Sequence, residues 1–315
     1  MSKSLDRLAL LQTFVRIADA GSISAAARDL GLSQPSVSRQ LAELESRFQT
    51  QLMRRTTHSL SLTEAGLELL VDSRRLLDDW EALKEKHVES EEMLRGGLKV
   101  VAPVALGQLH LIDIALRFQQ QHPLVSFSWQ LEDGNIRFSE VGCDCWIKIG
   151  PILDNSLQVE PLAKVERLVV ATPEAIAKFK ISQSTRPDST VVKPKALAEL
   201  PLIALDPFEG GQIPLKNSLG ETVSIAPLVR MSTNSIFALQ RATLANLGLS
   251  VMPRWLIQTE LESGQLIDLL PDWRAPKLTI QLAYAPGRHQ SRRLHGFLKA
   301  IRSEVPKILG VEQVG

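Results

Sequence analysis

The chain reads as a multidomain α/β protein in three parts: a small helical unit, one long helix, and a larger part in which strands and helices alternate. Three observations predict this. The first sixty-odd residues hold three short helical patterns in succession, closed by two extended pieces. Residues 63–94 then run without proline, and without glycine beyond Gly66, on an apolar line that steps by three or four residues. After Arg95-Gly96-Gly97 the period changes, and strand-like runs at 98–102, 125–131 and 143–149 alternate with helical ones. At 315 residues the chain is also too long for one typical core.

Residues 5–20 predict a first helix with Leu8, Leu11, Val15 and Ala18 on one side and Phe14 and Ile17 flanking it. Ser22 is a natural N-cap for a second helix carrying Ala25, Ala26 and Ala27, and Gly31 stands where a left-handed C′ residue ends it. Ser33 caps a third helix, and Pro35 falls in its first turn, where a missing N–H costs little. On that third helix Val37, Leu41, Leu44 and Phe48 recur at spacings that line one buried side. Pro35, Ser38, Arg39 and Ala42 point the other way, and Gln34 stands at the N-terminal end. An amide, hydroxyls and a guanidinium with little bulk suit DNA base edges: Gln for adenine, Arg for guanine, Ser for either. An ordinary helical hairpin with a polar face would satisfy the two helices alone. Residues 52–62 then form two short extended pieces around a polar turn, a wing whose Arg54, Arg55 and His58 would follow a phosphate backbone.

The ordered set Phe14, Gly21-Ser22, Ala26-Ala27, Leu30, Ser33-Gln34-Pro35-Ser36-Val37-Ser38, Leu44-Glu45, Leu52, Arg54-Arg55 and Leu62-Thr63-Glu64-Ala65-Gly66 resembles the N-terminal domain of LysR-type transcriptional regulators. Met53 departs from the family's common Phe, a volume-tolerant apolar change. The resemblance implies a winged helix-turn-helix over residues 1–62, with Ser33, Gln34, Pro35, Ser36, Ser38, Arg39, Arg54 and Arg55 as the DNA-binding residues.

Net charge is +1, so overall basicity does not announce nucleic acid. Up to His58, however, eight Lys and Arg face five Asp and Glu, a local balance of the right sign for a phosphate surface. Composition, 44% apolar and 23% charged, is that of a soluble globular protein. With no apolar run near the roughly 20 residues of a membrane span and no apolar signal region, a cytoplasmic location is expected.

The long helix, within residues 63–95, carries Leu62, Ala65, Leu69, Ser73, Leu76, Trp80, Leu83 and His87 as one seam, widened by Leu70 and Leu77. A mean step near the coiled-coil period and the absence of a nearby domain of its own predict a dimerisation linker, which the family resemblance also implies, in a homodimer or homotetramer; a helix packed on its own domain is the alternative.

Residues 96–315 read as an α/β domain with a parallel sheet, in two subdomains: about 96–165 with 272–315, and about 166–271. A helix after Pro103 holds Leu109, Ile112, Leu116 and Phe118, residues 159–170 form a long extended crossing, 182–195 a polar loop, and 213–225 a hairpin. A helix over 234–245 is capped by Ser232 or Thr233, and a strand at 278–284 returns to the first half before a final helix over 293–305. Two α/β halves joined by two crossings resemble a periplasmic-binding-protein-like fold, and the phrase Asp144–Leu157 resembles the effector domain of the same family, with Lys148 where the family usually has Arg. Residues 135–141 and 182–195 follow the family pattern least.

Ligands of open α/β sheets bind beyond the carboxyl ends of strands, often between two halves. Loops 103–107, 206–211 and 232–234 meet that description, and the helices after the first and third offer free N–H groups to an anion. Val104, Gln108, Lys148, Asp206, Thr233 and Asn234 are therefore the effector candidates. Where the family often places Ser or Thr to hold a carboxylate, Val104, Ala105 and Leu106 stand here; the expected effector is less acidic, or larger and more apolar, or absent.

Cys143 and Cys145, at alternating positions, are expected on one face of a strand beside Trp146 and Ile147, as packing residues. The six His are scattered, and no phosphate-cradling loop, GxSxG, HExxH or metal cluster is present in the sequence, so no catalytic residue, metal or cofactor is expected. The expected partners are double-stranded DNA at an inverted repeat, a small-molecule effector, a second copy of the chain, and RNA polymerase as a candidate. An enzyme, or a secreted solute-binding protein, is the rival class; the latter leaves the first ninety residues unexplained.

Overall fold

The computed structural model describes residues 6–55, 60–87, 94–179, 194–208, 211–286 and 291–313. His58 and nearly all of the expected loop 182–195 lie outside the described residues.

Three helices, α1 (Arg7–Ala20), α2 (Ile23–Leu30) and α3 (Gln34–Phe48), share one core. The caps are those the sequence predicts: Ser22 Oγ accepts from Ala25 N–H at 3.0 Å, Gly31 is left-handed at φ 64, and Ser33 Oγ accepts from Ser36 N–H at 3.4 Å. The stripe on α1 is rotated from the expected one. Leu10, Phe14 and Ile17 are its fully buried centre, while Leu8, Val15 and Ala18 are only half-buried. Phe48 is a second correction: at 52% exposed it lies beyond the core, because Val37, Leu41 and Leu44 already fill the space against α1. Sequence reading missed Gln40, buried under α3, whose Oε1 accepts from Thr13 Oγ at 2.5 Å.

Strands β1 (Met53–Arg55) and β2 (Leu60–Leu62) pair antiparallel as the wing. Glu45 of α3 holds it in place by accepting from the N–H groups of Leu52 (2.9 Å) and Met53 (3.2 Å). Helix α4 (Glu64–His87) starts on Thr63, whose Oγ accepts from Gly66 N–H at 2.9 Å. A Cβ on Gly66 would lie 2.0 Å from the Leu52 carbonyl oxygen, so only glycine lets α4 pass the wing at this distance.

The expected single seam of α4 divides in two. Its first half does have a domain of its own: Leu70 and Ser73 are buried, and Leu62, Leu69 and Leu77 pack on the three-helix core. Leu76, which faces away from that core just before Leu77, and Trp80 and Leu83 further along are exposed at 50%, 41% and 42%. The His87 side chain lies outside the described residues.

The C-terminal part begins with β3 (Arg95–Ala102), followed by α5 (Val104–Leu106), a π-helical turn at Gly107–Leu111 and α6 (Ile112–Gln121). Next come β4 (Leu124–Leu131), the short α7 (Phe138–Val141), β5 (Cys145–Ile149) and β6 (Gln158–Val165). After one residue, Glu166, the chain enters the second half with β7 (Arg167–Ala171), α8 (Pro173–Lys178), β8 (Pro201–Leu205), the hairpin β9 (Ile213–Asn217) and β10 (Thr222–Ile225), and β11 (Leu228–Thr233). Then follow α9 (Ile236–Leu244), β12 (Ser250–Pro253), α10 (Gln258–Glu262), β13 (Ile267–Asp268) and β14 (Trp273–Arg274). The return is β15 (Leu278–Tyr284), α11 (Arg292–Glu304) and β16 (Val311–Gln313), a strand that sequence reading missed.

Order β16-β6-β15-β5-β3-β4 forms one six-stranded sheet. It is mixed rather than parallel: β3 runs parallel to β4 and β5, but β15, which arrives from the second half, is antiparallel to β5 and β6, and β16, which follows α11, is antiparallel to β6. The second half holds smaller sheets, β12-β7-β13, β11-β8 and β10-β9-β14, and a bridge from Leu202 to Leu249 links the first two.

The π turn also corrects the helix after Pro103. Its extra residue per turn shifts the buried line to Leu106, Leu111, Ala115 and Phe118, and leaves Leu109 and Leu116 nearly half exposed. The cysteines are corrected as well. Cys143 precedes β5 and packs with Trp146 and Phe138, whereas Cys145 packs on the opposite face with Ile147. Both are free thiols; burial pushes Cys143 up to about 12 and Cys145 well above the usual thiol value.

Candidate DNA-reading surface and effector cleft

The N-terminal edge of α3 is built by its cap. Ser33 fixes the entry of the chain, Pro35 presets the first turn, and Val37 and Leu41 pin the opposite face into the core. What remains outward is Gln34, Pro35 and Arg39, all exposed, with Ser36 and Ser38 half-buried beside them. Among the described residues, no side chain of this chain bonds Gln34 or Arg39. Arg54 is exposed on β1, directly across from Ser61; of Arg55 only the backbone is described. A slim, capped helix end with free donors and acceptors, flanked by a basic wing strand, can enter a duplex groove while the wing follows the phosphates.

The cleft candidates fall into two groups. Val104 begins the first helix, but its N–H already donates to Asp133 Oδ1 at 2.9 Å. That N–H is therefore not free for an anion, contrary to the sequence-based expectation: the chain's own carboxylate takes it. Lys148, buried at 8% exposure on β5, donates to Asn135 Oδ1 and sits 5.3 Å from the centre of the Trp146 ring. Burial pushes its ammonium below the usual lysine value, with Glu132 opposing the shift. Glu132, Asp133 and Asn135, absent from the sequence-based candidates, thus form one loop closing over Val104 and Lys148. Gln108 is exposed one turn beyond Val104.

In the second half, Asp206 N–H donates to the Thr233 carbonyl at 2.8 Å, joining two of the predicted loops. Helix α9 is capped by Ser235, whose Oγ accepts from Ala238 N–H at 3.3 Å, rather than by Ser232 or Thr233. Thr233 Oγ instead accepts from Ser235 N–H at 3.1 Å, and Asn234 is exposed before the helix. No hydrogen bond among the described residues joins the Val104–Lys148 group to the Asp206–Asn234 group. A hollow of about 440 Å³ between β9 and β14, lined by Lys216, Asn217, Arg274 and Lys277 among others, includes none of the six candidates.

Among the described residues no group of three or more His, Cys, Asp or Glu is placed to hold a metal, and no helix is long and apolar enough to cross a membrane.

Two family models match the chain: "Bacterial regulatory helix-turn-helix protein, lysR family" over residues 8–67 and "LysR substrate binding domain" over residues 91–306. The HTH-type transcriptional regulator PtxR of Pseudomonas aeruginosa is 28% identical over 313 residues, covering 97% of this chain and 96% of that protein. Among solved structures, CrgA of Neisseria meningitidis, a LysR-type transcriptional regulator, is 25% identical with TM-score 0.55, covering 96% of this chain and 99% of that one. Full-length AphB of Vibrio cholerae (22% identical, TM-score 0.56, 95% and 99% covered) and a full-length OxyR variant of Pseudomonas aeruginosa (15%, 0.71, 99% and 99%) share the fold.

Proposed function

The chain belongs to the LysR family of bacterial transcriptional regulators, and from that premise we propose how its own residues read DNA and answer an effector. The N-terminal edge of α3 enters the major groove: Gln34, Ser36, Ser38 and Arg39 meet base edges, with Ser33 and Pro35 setting the angle of entry. Arg54 and Arg55 of the wing strand hold phosphates, giving affinity and register without sequence choice. The observation that carries this reading is the unpartnered, exposed pair Gln34 and Arg39 on a helix end whose other face is locked in a core.

Leu76, Trp80 and Leu83, exposed on the half of α4 that leaves the three-helix core, pair with the same residues of a second copy. A two-fold dimer then reads an inverted repeat with half-sites about one helical turn apart, or multiples of it. RNA polymerase is a candidate further partner at such a promoter. The effector lies between the two α/β halves, touching Val104, Gln108, Lys148, Asp206, Thr233 and Asn234. It acts by binding one arrangement of the dimer better than another. A small carboxylate seated on the first helix is disfavoured in this reading, since the Val104 N–H already donates to Asp133.

Selection of bound sequences from a random DNA library tests the reading: the full chain should enrich an inverted repeat. Enrichment of no sequence at low salt, together with turnover of a substrate, would favour an enzyme. Calorimetry in which only small carboxylates bind would overturn the effector assignment.

A further inference from the structure

Arg74, near the middle of α4, is the meeting point of three parts of the chain. One guanidinium nitrogen pairs with Asp19 in the last turn of α1. Another donates to the carbonyls of Ser139 (2.9 Å) and Glu140 (3.3 Å) in α7 of the C-terminal part. The Arg74 side chain is 16% exposed and that of Asp19 35%, so the arginine lies between the two parts while its carboxylate partner stays open to solvent.

Each partner requires a cation here for its own reason. Asp19 sits at the C-terminal end of α1, where the helix dipole disfavours a carboxylate, and the last turn of α1 holds no basic residue. The carbonyls of Ser139 and Glu140 end a four-residue helix and lack helical N–H partners. A third carbonyl there, Val141, accepts from Lys99 Nζ at 2.7 Å. Gly142 ends α7 at φ 60, and a Cβ on it would stand 1.8 Å from Arg74 Nη1, so both backbone and space require glycine. A planar guanidinium can bridge one carboxylate and two carbonyls together, where a single ammonium point charge cannot match the fork. Only Ile136 and Arg137 separate α7 from the loop whose Asp133 and Asn135 hold Val104 and Lys148.

We propose that Arg74 is a positioning residue: it clamps the DNA-reading helices against the effector domain of the same chain, and α7 is the element through which the 132–135 loop of the cleft reaches them. The consequence for DNA rests on the proposed function above, whereas the clamp itself is measurable without DNA. The test is a spin-label distance in the full chain carrying Ser46→Cys on α3 and Ser128→Cys on β4, both at exposed positions. Labelled chain is diluted with unlabelled chain so that only intrachain pairs count, and the buried Cys143 and Cys145 do not compete. The parent should give one narrow distance. Arg74→Ala and Asp19→Ala should each at least double its width, and Arg74→Lys should fall between, since it keeps the charge and loses the fork. An unchanged width in both alanine variants overturns the clamp. In random-library selection, Arg74→Ala should spread the half-site separation over half a helical turn, about 5 base pairs. An unchanged separation overturns the clamp's part in reading. Should the parent itself enrich no sequence, the reading assignment fails, and the distance measurement still decides the clamp.

Discussion

Replacing Arg39 by alanine separates reading from folding. Arg39 is exposed on α3 and bonded to nothing else in the described chain, so its loss removes no intrachain contact. Surface changes of this kind stay within about 0.5 kcal/mol. For a unit of this size that is a shift of no more than roughly 2–4 °C in Tm, from about 4–8 °C per kcal/mol. A bidentate guanidinium–guanine contact discriminates against the wrong base by about 1–3 kcal/mol, or roughly 5- to 150-fold in affinity at 1.4 kcal/mol per factor of ten. Arg39→Ala should therefore lose that much preference for the selected operator over one changed at a single guanine position, with Tm nearly unchanged. The control is Arg54→Ala, which should weaken all sequences alike and reduce the slope of log K against log salt by about one phosphate's worth, near 0.9. Gel shifts across a salt series, on matched and mismatched operators, read both quantities. If Arg39→Ala discriminates as the parent does, the groove-facing edge of α3 is wrongly assigned.

Three further outcomes follow from the geometry. Glu45→Ala leaves the N–H groups of Leu52 and Met53 without their acceptor and should destabilise the N-terminal unit by about 1–3 kcal/mol; an unchanged melting curve would contradict the tie between α3 and the wing. Trp80→Glu places a charge in the exposed seam of α4 and should shift the chain toward monomer in sedimentation, and a stable dimer would show that pairing lies elsewhere. Burial holds the Cys143 thiol up to about 12 and the Cys145 thiol well above the usual thiol value, so both remain protonated at pH 8; the folded chain should resist alkylation there, with both thiols reacting on denaturation. Because the unfolded Cys143 thiol ionises near its ordinary value and the folded one does not, its contribution to stability is intact below that pH and is lost as pH rises through about 12.

The N-terminal unit was readable in detail because its determinants are local. Ser22, Gly31 and Ser33 each satisfy or end a helix within three or four residues of themselves, and the wing strands that pair lie close together in the sequence. The α1 stripe was misplaced because Leu8, Val15 and Ala18 are as apolar as the residues that won; which side is buried depends on where α3 and α4 pack. Phe48 and the α6 stripe failed for related reasons. An apolar period says that a face can be buried, not how far the neighbouring element extends, and the π turn shifts the phase in a way no residue announces.

In the cleft, the sequence picked out Val104, Lys148, Asp206 and Thr233 by their place at strand ends and helix starts, but not what already contacts them. Asp133 reaches Val104 across 29 residues and Arg74 reaches Ser139 across 65; neither spacing has a period or a motif. The segment on which α4 docks lies within 135–141, one of the two segments read from the sequence as least like the family.

By itself the sequence determined what is set within a turn or two of backbone: the capped third helix, the wing, the long fourth helix, the alternation of strand and helix, and through its motifs the family. Tertiary structure alone decided which polar groups meet over long separations: that a carboxylate fills the first helix terminus, that one arginine joins the reading unit to the effector domain, and that the linker seam is half spent on its own chain. The physical reason is range. Hydrogen-bonded caps and side-chain periodicity act between near neighbours, whereas the partner of a buried charge is fixed only when the folded chain encloses it.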